Sequence, residues 1–329
     1  MIHLDYCFLR RGEEGEQSIP VLVGKVRNTN YLIAHVVPNK GGSSDVVVAQ
    51  LVKDFQRLGY NGKIILRGDQ EAALEHLLHE VAKARGNLET IVEHSPVRDS
   101  SSSGVAEKGV QSLEGMVRAH LLELDEKIGE KLPLSQPWFS WMIEFCADVF
   151  NKHQVGKDGN TAWERIKGRK CHESAIEFGR KILHRIPGDL AGGLMQPCFH
   201  TGEFLGRRLE TTEILVSMSD GGVVKARDFK EVPDADAWSA DALKAVQGLP
   251  WCGAGTLPPQ FFDSDSVPKI PNLMPANGDD IATRGLPLQQ KHFELVGYTD
   301  GCAKCRSMQR GRRPQQVTML YVEIVFLNS

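Results

Sequence analysis

The sequence predicts an α/β chain: a mixed five-stranded sheet flanked by helices, followed by a small β-rich module and an irregular tail. Three observations predict it. Short apolar strands and longer amphipathic helices follow one another through the first half in the order β-β-β-α-β-α-β-α. From Phe178 the pattern changes to short strands broken by Gly/Asp turns. Beyond about Pro250 prolines, glycines and polar residues thicken, periodicity vanishes, and a largely disordered linker is expected. The boundaries read from these changes are 1–165, 166–250 and 251–329.

Each element has its own signal. "IHLDYCFL" has the apolar, aromatic-rich character of a buried strand, and "VLVGKVR" and "YLIAHVV" add two more around the Asn28-Thr29-Asn30 turn. In "SSDVVVAQLVKDFQRLGY" apolar residues recur at helical spacing (Val47, Val48, Leu51, Val52, Phe55, Leu58) after serine caps and before Asn61-Gly62. "KIILRGD" reads as the fourth strand, "EAALEHLLHEVAKAR" as a second helix and "LETIVEHSP" as the fifth strand. A serine-rich loop then leads into the long helix that carries Glu107. "WFSWMIEFCADVFNKH" is a further helix whose broad apolar side (Trp138, Trp141, Met142, Phe145, Cys146, Phe150) reads as core.

Composition excludes some functions. Of 329 residues 41% are hydrophobic and 25% charged, which suits an ordinary folded protein rather than a disordered one. A formal charge of −3 argues against holding nucleic acid by bulk positive charge, though not against local patches. No apolar run approaches the roughly 20 residues that span a bilayer, so no membrane partner is expected. Seven cysteines, odd in number and scattered, favour a reducing compartment, and the reading is nucleus or cytoplasm, not secreted. A strand beginning at residue 2 suggests a piece of something longer.

Three acids stand out. Asp5 sits in an apolar strand, where a carboxylate is costly unless it is paired or bound to a metal. Asp69 ends the fourth strand, and where strands one and four are parallel neighbours the two acids lie side by side. Glu107 stands at the start of the helix after strand five. By itself it suits the positive end of a helix dipole; with Asp5 and Asp69 it closes a triangle of hard oxygen donors. Glu71 is read into the first turn of the second helix. Glu114, two turns past Glu107, is the weaker choice for the third corner.

These residues carry a resemblance. "HLDYCF" with Asp5, "LRGDQEAA" with Asp69 and "SSSGVAEKGVQ" with Glu107 resemble the catalytic core of retroviral and retrotransposon integrases, members of the ribonuclease H-like superfamily. "TAWERIKGRK" and "FGRKILHR" resemble the segments after the core in copia-type polyproteins, and the likeness covers roughly Ile2 to Pro187. Asp69 and Glu107 have 37 residues between them, close to the family's spacing. The resemblance implies a ribonuclease H-like fold and two Mg²⁺ or Mn²⁺ ions, with Asp5 bridging and Asp69 and Glu107 each holding one. It further implies trimming of the element's DNA ends, their joining to target DNA, and a homo-oligomer as the active form. The family's His/His/Cys/Cys region, which precedes the core in complete integrases, is missing here. The competing expectation is an inactive or co-opted remnant that binds DNA or a partner without catalysis.

Basic residues supply the DNA-contact candidates. On the Glu107 helix these are Lys108 and Arg118. A band of Arg165, Lys167, Arg169, Lys170, Arg180, Lys181 and Arg185 faces only Glu173 and Glu177 in sequence and suits a phosphate backbone. In the tail, Cys302-x-x-Cys305 beside Arg306, Arg310, Arg312 and Arg313 offers two ligands of a zinc site, and His292 is a distant third candidate.

Overall fold

The computed structural model describes residues 1–12, 18–37, 45–94, 100–185, 199–208, 211 and 213–251. All lie in the unit Met1–Pro268; the second unit, Lys269–Ser329, is outside the described residues, and with it His292, Cys302, Cys305 and the tail arginines. The serines expected to cap the first helix, at 43 and 44, also fall outside them.

Strands β1 (Ile2–Leu9), β2 (Ile19–Val26) and β3 (Leu32–Val36) form the expected antiparallel meander. Strands β4 (Ile64–Gly68) and β5 (Thr90–His94) add in parallel on the other side of β1, so the order is β3-β2-β1-β4-β5. This is the mixed five-stranded sheet expected of a ribonuclease H-like fold. Helices α1 (Asp45–Arg57) and α2 (Ala72–Ala84) cover one face, where Ile2, Leu4, Leu22, Ile33 and Leu66 pack with Leu51, Phe55, Leu74 and Leu78. Helices α3 (Ser100–Ile128) and α4 (Pro137–His153) cover the other, packing Cys7, Val21, Val23 and Ala34 against Leu113, Val117, Trp138 and Met142. Strand alternation accounts for both cores: neighbouring residues of one strand serve opposite layers.

Glu71 is not in the first turn of α2. It is the residue before it, in extended conformation, and its side chain makes no capping hydrogen bond. Helix α5 (Ala162–Lys167) is built on "TAWERIKG": Thr161 and Glu164 exchange capping bonds, and Gly168 ends the helix in the left-handed region at φ 68. The second sheet contains β6 (Lys181–His184), β7 (His200–Arg207), β8 (Ile214–Ser217), β9 (Val223–Ala226) and β10 (Phe229–Glu231), all antiparallel, in the order β10-β6-β7-β8-β9. It shares its core with α4. Phe145 meets Phe204 edge-on at 6.1 Å, and Trp141 Nε1 donates to the Gly248 carbonyl at 2.7 Å. The short helix α6 (Ala240–Lys244), which carries no periodic signal in the sequence, adds Leu243 to this cluster.

The outer strand β3 is held by side chains from both helical layers. Asn151 of α4 accepts from the Leu32 N–H and donates to its carbonyl, both at 2.7 Å, so one amide stands in for a missing strand. His35 is buried between two acids, its Nδ1 2.8 Å from Glu144 of α4 and its Nε2 2.6 Å from Asp54 of α1. Burial alone would lower the imidazole pKa, but the charges and hydrogen bonds of Asp54 and Glu144 outweigh it and push it from 6.5 up to about 10. His35 is therefore a cation at neutral pH, with both nitrogens donating.

Replacing it strands two carboxylates. His35→Gln is expected to cost roughly 3–5 kcal/mol at pH 7, read by urea unfolding. Because the folded pKa lies above the unfolded one, the wild-type advantage is full below about 6.5 and is lost as pH rises through about 10. Equal stability of the two proteins at pH 7 would refute the clamp.

Candidate active site

The sheet positions the first two acids. The offset that pairs Ile2 with Leu66 and His3 with Arg67 carries Asp5 to Asp69, one residue past the end of β4. Asp5 is also the strand partner of Val23, which belongs to the α3/α4 core, so Asp5 lies on that side of the sheet. Gly68 faces the other way: a Cβ there would stand 2.7 Å from Leu74 of α2. Asp69 follows just past the strand end, where the same alternation, continued one step, would turn it toward the α3 side. Asp5 thus stands on that face of β1, and Asp69 stands one residue beyond the end of the neighbouring parallel strand. Asp5 is half-buried, and its Oδ1 accepts from the Tyr6 N–H at 2.8 Å.

Helix α3 lies over this face. Gly109 rests on Val23 and Lys25, the strand partners of Asp5 and His3, and a Cβ at Gly109 would come within 3.2 Å of the Lys25 side chain. The close approach brings the helix down beside β1. The helix begins at Ser100, so the serines read as a loop are helical and Glu107 stands two turns inside α3 rather than at its start. Ala106, Gly109, Leu113 and Val117 form its buried stripe, and Glu107 is exposed at the flank of that stripe. Glu107 Oε1 lies 3.5 Å from Gln111 Nε2, a weak contact one turn on. Glu114 shares the flank two turns further, about 10 Å along the axis. It lies close enough to Cys7 to act on its thiol: burial first, then Glu114 and Asp5, push that thiol up to about 12. Glu107 and Glu114 thus bracket the level at which α3 crosses β1.

Three carboxylates are the donor type that suits a hard divalent cation. Among the described residues, the group of His, Cys, Asp and Glu whose donor atoms all lie within 4.8 Å of one another is Glu75, His79 and His94, and not these three acids.

Two neighbours escaped the sequence reading. His3 and Arg67 are strand partners on the same face as Asp5, and Arg67 pairs with Glu93 at 2.6 Å. Burial, then the charges of Arg67 and Arg27, lower the His3 imidazole to about 4, so it stands neutral beside the acids at physiological pH. Counting back two residues from each aspartate would have found both.

Among the DNA-contact candidates, Lys108 and Arg118 are exposed on α3, and Lys167, Arg169 and Lys170 are exposed around the end of α5. Lys181 and Arg185 are half-buried on and just after β6. Among the described residues, Arg165 and Arg180 of the band are paired with acids, and the Lys167 ammonium lies over the Trp163 ring at 5.6 Å. Arg165 is ion-paired with Asp158 and donates to the Thr29 carbonyl at 2.9 Å. Arg180 pairs with Glu177 at 2.8 Å and Asp234 at 2.6 Å.

No protein-family model matches the chain, and no curated protein matches it. Solved structures do. The catalytic core domain of BIV integrase is 15% identical with a TM-score of 0.35, covering 51% of this chain and 93% of its own. The simian T-cell lymphotropic virus intasome, solved in complex with PP2A regulatory subunit B56 gamma, is 13% identical with a TM-score of 0.40, covering 70% of this chain and 77% of its own.

The contact of Gly68 with α2 is what seats Asp69. Gly68→Ala places a methyl against buried Leu74 and Leu78 and is expected to cost about 1–3 kcal/mol by overpacking. Urea unfolding measures it, and an unchanged midpoint and slope would show that α2 does not constrain this strand end.

Proposed function

We propose that the chain is a metal-dependent polynucleotidyl transferase of integrase type, which trims the ends of an element's DNA and joins them to target DNA. The finer reading is a piece of a copia-type retrotransposon polyprotein. One observation supports the proposal: continued beyond its pairs Ile2–Leu66 and His3–Arg67, the β1/β4 register would bring Asp5 level with Asp69, and the helix packed on the Asp5 face, α3, carries Glu107 on its exposed flank.

In this reading Asp5 is the shared ligand, and Asp69 and Glu107 each complete one of two Mg²⁺ or Mn²⁺ positions. Ions so held supply Lewis-acid activation of a water or a DNA 3′-hydroxyl and stabilise the leaving oxygen at phosphorus. The chain contributes the placement. The Tyr6 N–H orients the Asp5 carboxylate. Neutral His3, the strand neighbour of Arg67, adds no cation of its own beside the acids. Lys108 and Arg118 on α3 stand on the helix that would meet the substrate backbone. Lys167, Arg169, Lys170, Lys181 and Arg185 extend the phosphate track, whereas Arg165 and Arg180 would first have to leave their acid partners. A homo-oligomer acting on DNA, in the nucleus or cytoplasm, is the working form in this reading.

The test is the reversal of strand transfer on a branched DNA substrate. Activity is expected to require Mg²⁺ or Mn²⁺ and to fall at least about a hundredfold in Asp5→Asn, Asp69→Asn and Glu107→Gln, while Glu114→Gln stays active. Loss in Glu114→Gln with activity retained in Glu107→Gln would move the third ligand two turns along α3. If wild type and Glu107→Gln are equally inert and both bind DNA with a steep salt dependence, the chain is a binding remnant instead.

A further inference from the structure

On the opposite face of the sheet, three side chains converge that the integrase reading does not use. Glu75 and His79 stand one turn apart on α2, and His94 ends β5 as the strand partner of Gly68. Glu75 Oε1 lies 3.6 Å from His94 Nε2 and 4.0 Å from His79 Nε2, and the three donor atoms all fall within 4.8 Å of one another. These separations are too long for hydrogen bonds. Donors held about 2.0–2.2 Å from a tetrahedral centre stand about 3.3–3.6 Å apart. The Glu75–His94 pair is already at that spacing and the Glu75–His79 pair, at 4.0 Å, would close by a few tenths of an ångström, both being within ion-pair range without a metal. Among the described residues none of the three donor atoms has a hydrogen-bond partner, and the other ring nitrogen of His94, enclosed, has none either. All three side chains keep an open approach, with 46%, 60% and 33% of their surface exposed for Glu75, His79 and His94.

We propose that Glu75, His79 and His94 form a zinc site with a solvent position, which ties α2 to the end of β5. The chemistry separates it from the carboxylate site. Two imidazoles and one carboxylate suit Zn²⁺ and related borderline dications, whereas three carboxylates suit Mg²⁺ or Mn²⁺. The local scaffold is suited to the task. Helical spacing puts Glu75 and His79 on one face, Leu74 and Leu78 root that helix in the core, and His94 lies on a strand fixed in register to β4. The bound ion would cross-link helix and strand next to Gly68, the residue before Asp69.

Zinc titration of the full-length protein tests the site, followed by calorimetry and thermal unfolding and repeated in a Cys302→Ser/Cys305→Ser background so that the tail thiols cannot contribute. One Zn²⁺ per chain is expected to bind and raise the melting temperature. Affinity should drop at least tenfold in His79→Gln and in His94→Gln, and stay unchanged in Asp69→Asn. His79 is exposed, so His79→Gln tests the site even if His94→Gln unfolds. Substituted Co²⁺ should show weak visible bands without a thiolate charge-transfer band. The proposal is overturned if the serine background binds no Zn²⁺, if His79→Gln keeps wild-type affinity, or if Asp69→Asn removes the binding. Because the readout is zinc affinity, failure of DNA strand transfer leaves this result standing.

Discussion

The fold depends on β1 pairing along both of its edges, antiparallel to β2 and parallel to β4. A strand paired on both edges has its register fixed twice, and a slip of one residue would exchange the contents of its two faces. Ile2 and Leu4 would leave the α1/α2 core, and His3, Asp5 and Cys7 would enter it. The position of Asp5 is therefore protected by the hydrophobic cost of moving its neighbours. Asp69 inherits the same protection through β4, and Gly68 lets α2 close on that strand end without a side chain in the way.

At the far side of the sheet the problem is different. Strand β3 has one free edge, and the fold satisfies it with charge and amide groups rather than another strand. Asn151 pairs with both backbone groups of Leu32, and His35 joins α1 to α4 around the strand. Helix α4 bears further buried charge in Lys152, which meets Asp148 and Glu173, both at 2.7 Å, and sits over the Trp163 ring at 5.2 Å. Those contacts fasten α5 and the segment after it to the core. Polar groups at such depth are specific in geometry because each has few alternatives.

Much of this was legible in the sequence because the signals were local. Apolar runs marked the strands, helical spacing marked α1, α2 and α4, and the two aspartates announced themselves as charges in or beside apolar strands. His35, Asn151 and Lys152 could not be found that way. Asn151 and His35 owe their roles to partners distant in sequence, such as Leu32 for Asn151, and Lys152, beside its i,i+4 partner Asp148, takes its second acid, Glu173, from beyond the helix. The misplacement of Glu71 has a local cause: an acid before a helix reads the same whether it stands in the first turn or one residue outside. Glu75, His79 and His94 were passed over for a related reason. A helix with Glu and His one turn apart reads as a solvated surface until a third donor arrives from another element.

The two donor clusters are related by the alternation that organises the core. His94 and Gly68 are strand partners and face α2; Asp69 is the next residue, past the end of β4. Two imidazoles and the Glu75 carboxylate thus gather on the α2 side, while Asp5 stands with His3 on the α3 side. The order of donor hardness matters for a site of this kind. A borderline dication entering an all-carboxylate site would compete with Mg²⁺ or Mn²⁺, since its affinity for most donor sets is higher. In the proposed arrangement Glu75, His79 and His94 would take the borderline dication on the α2 side, joined to the proposed carboxylate site through the backbone step at Gly68.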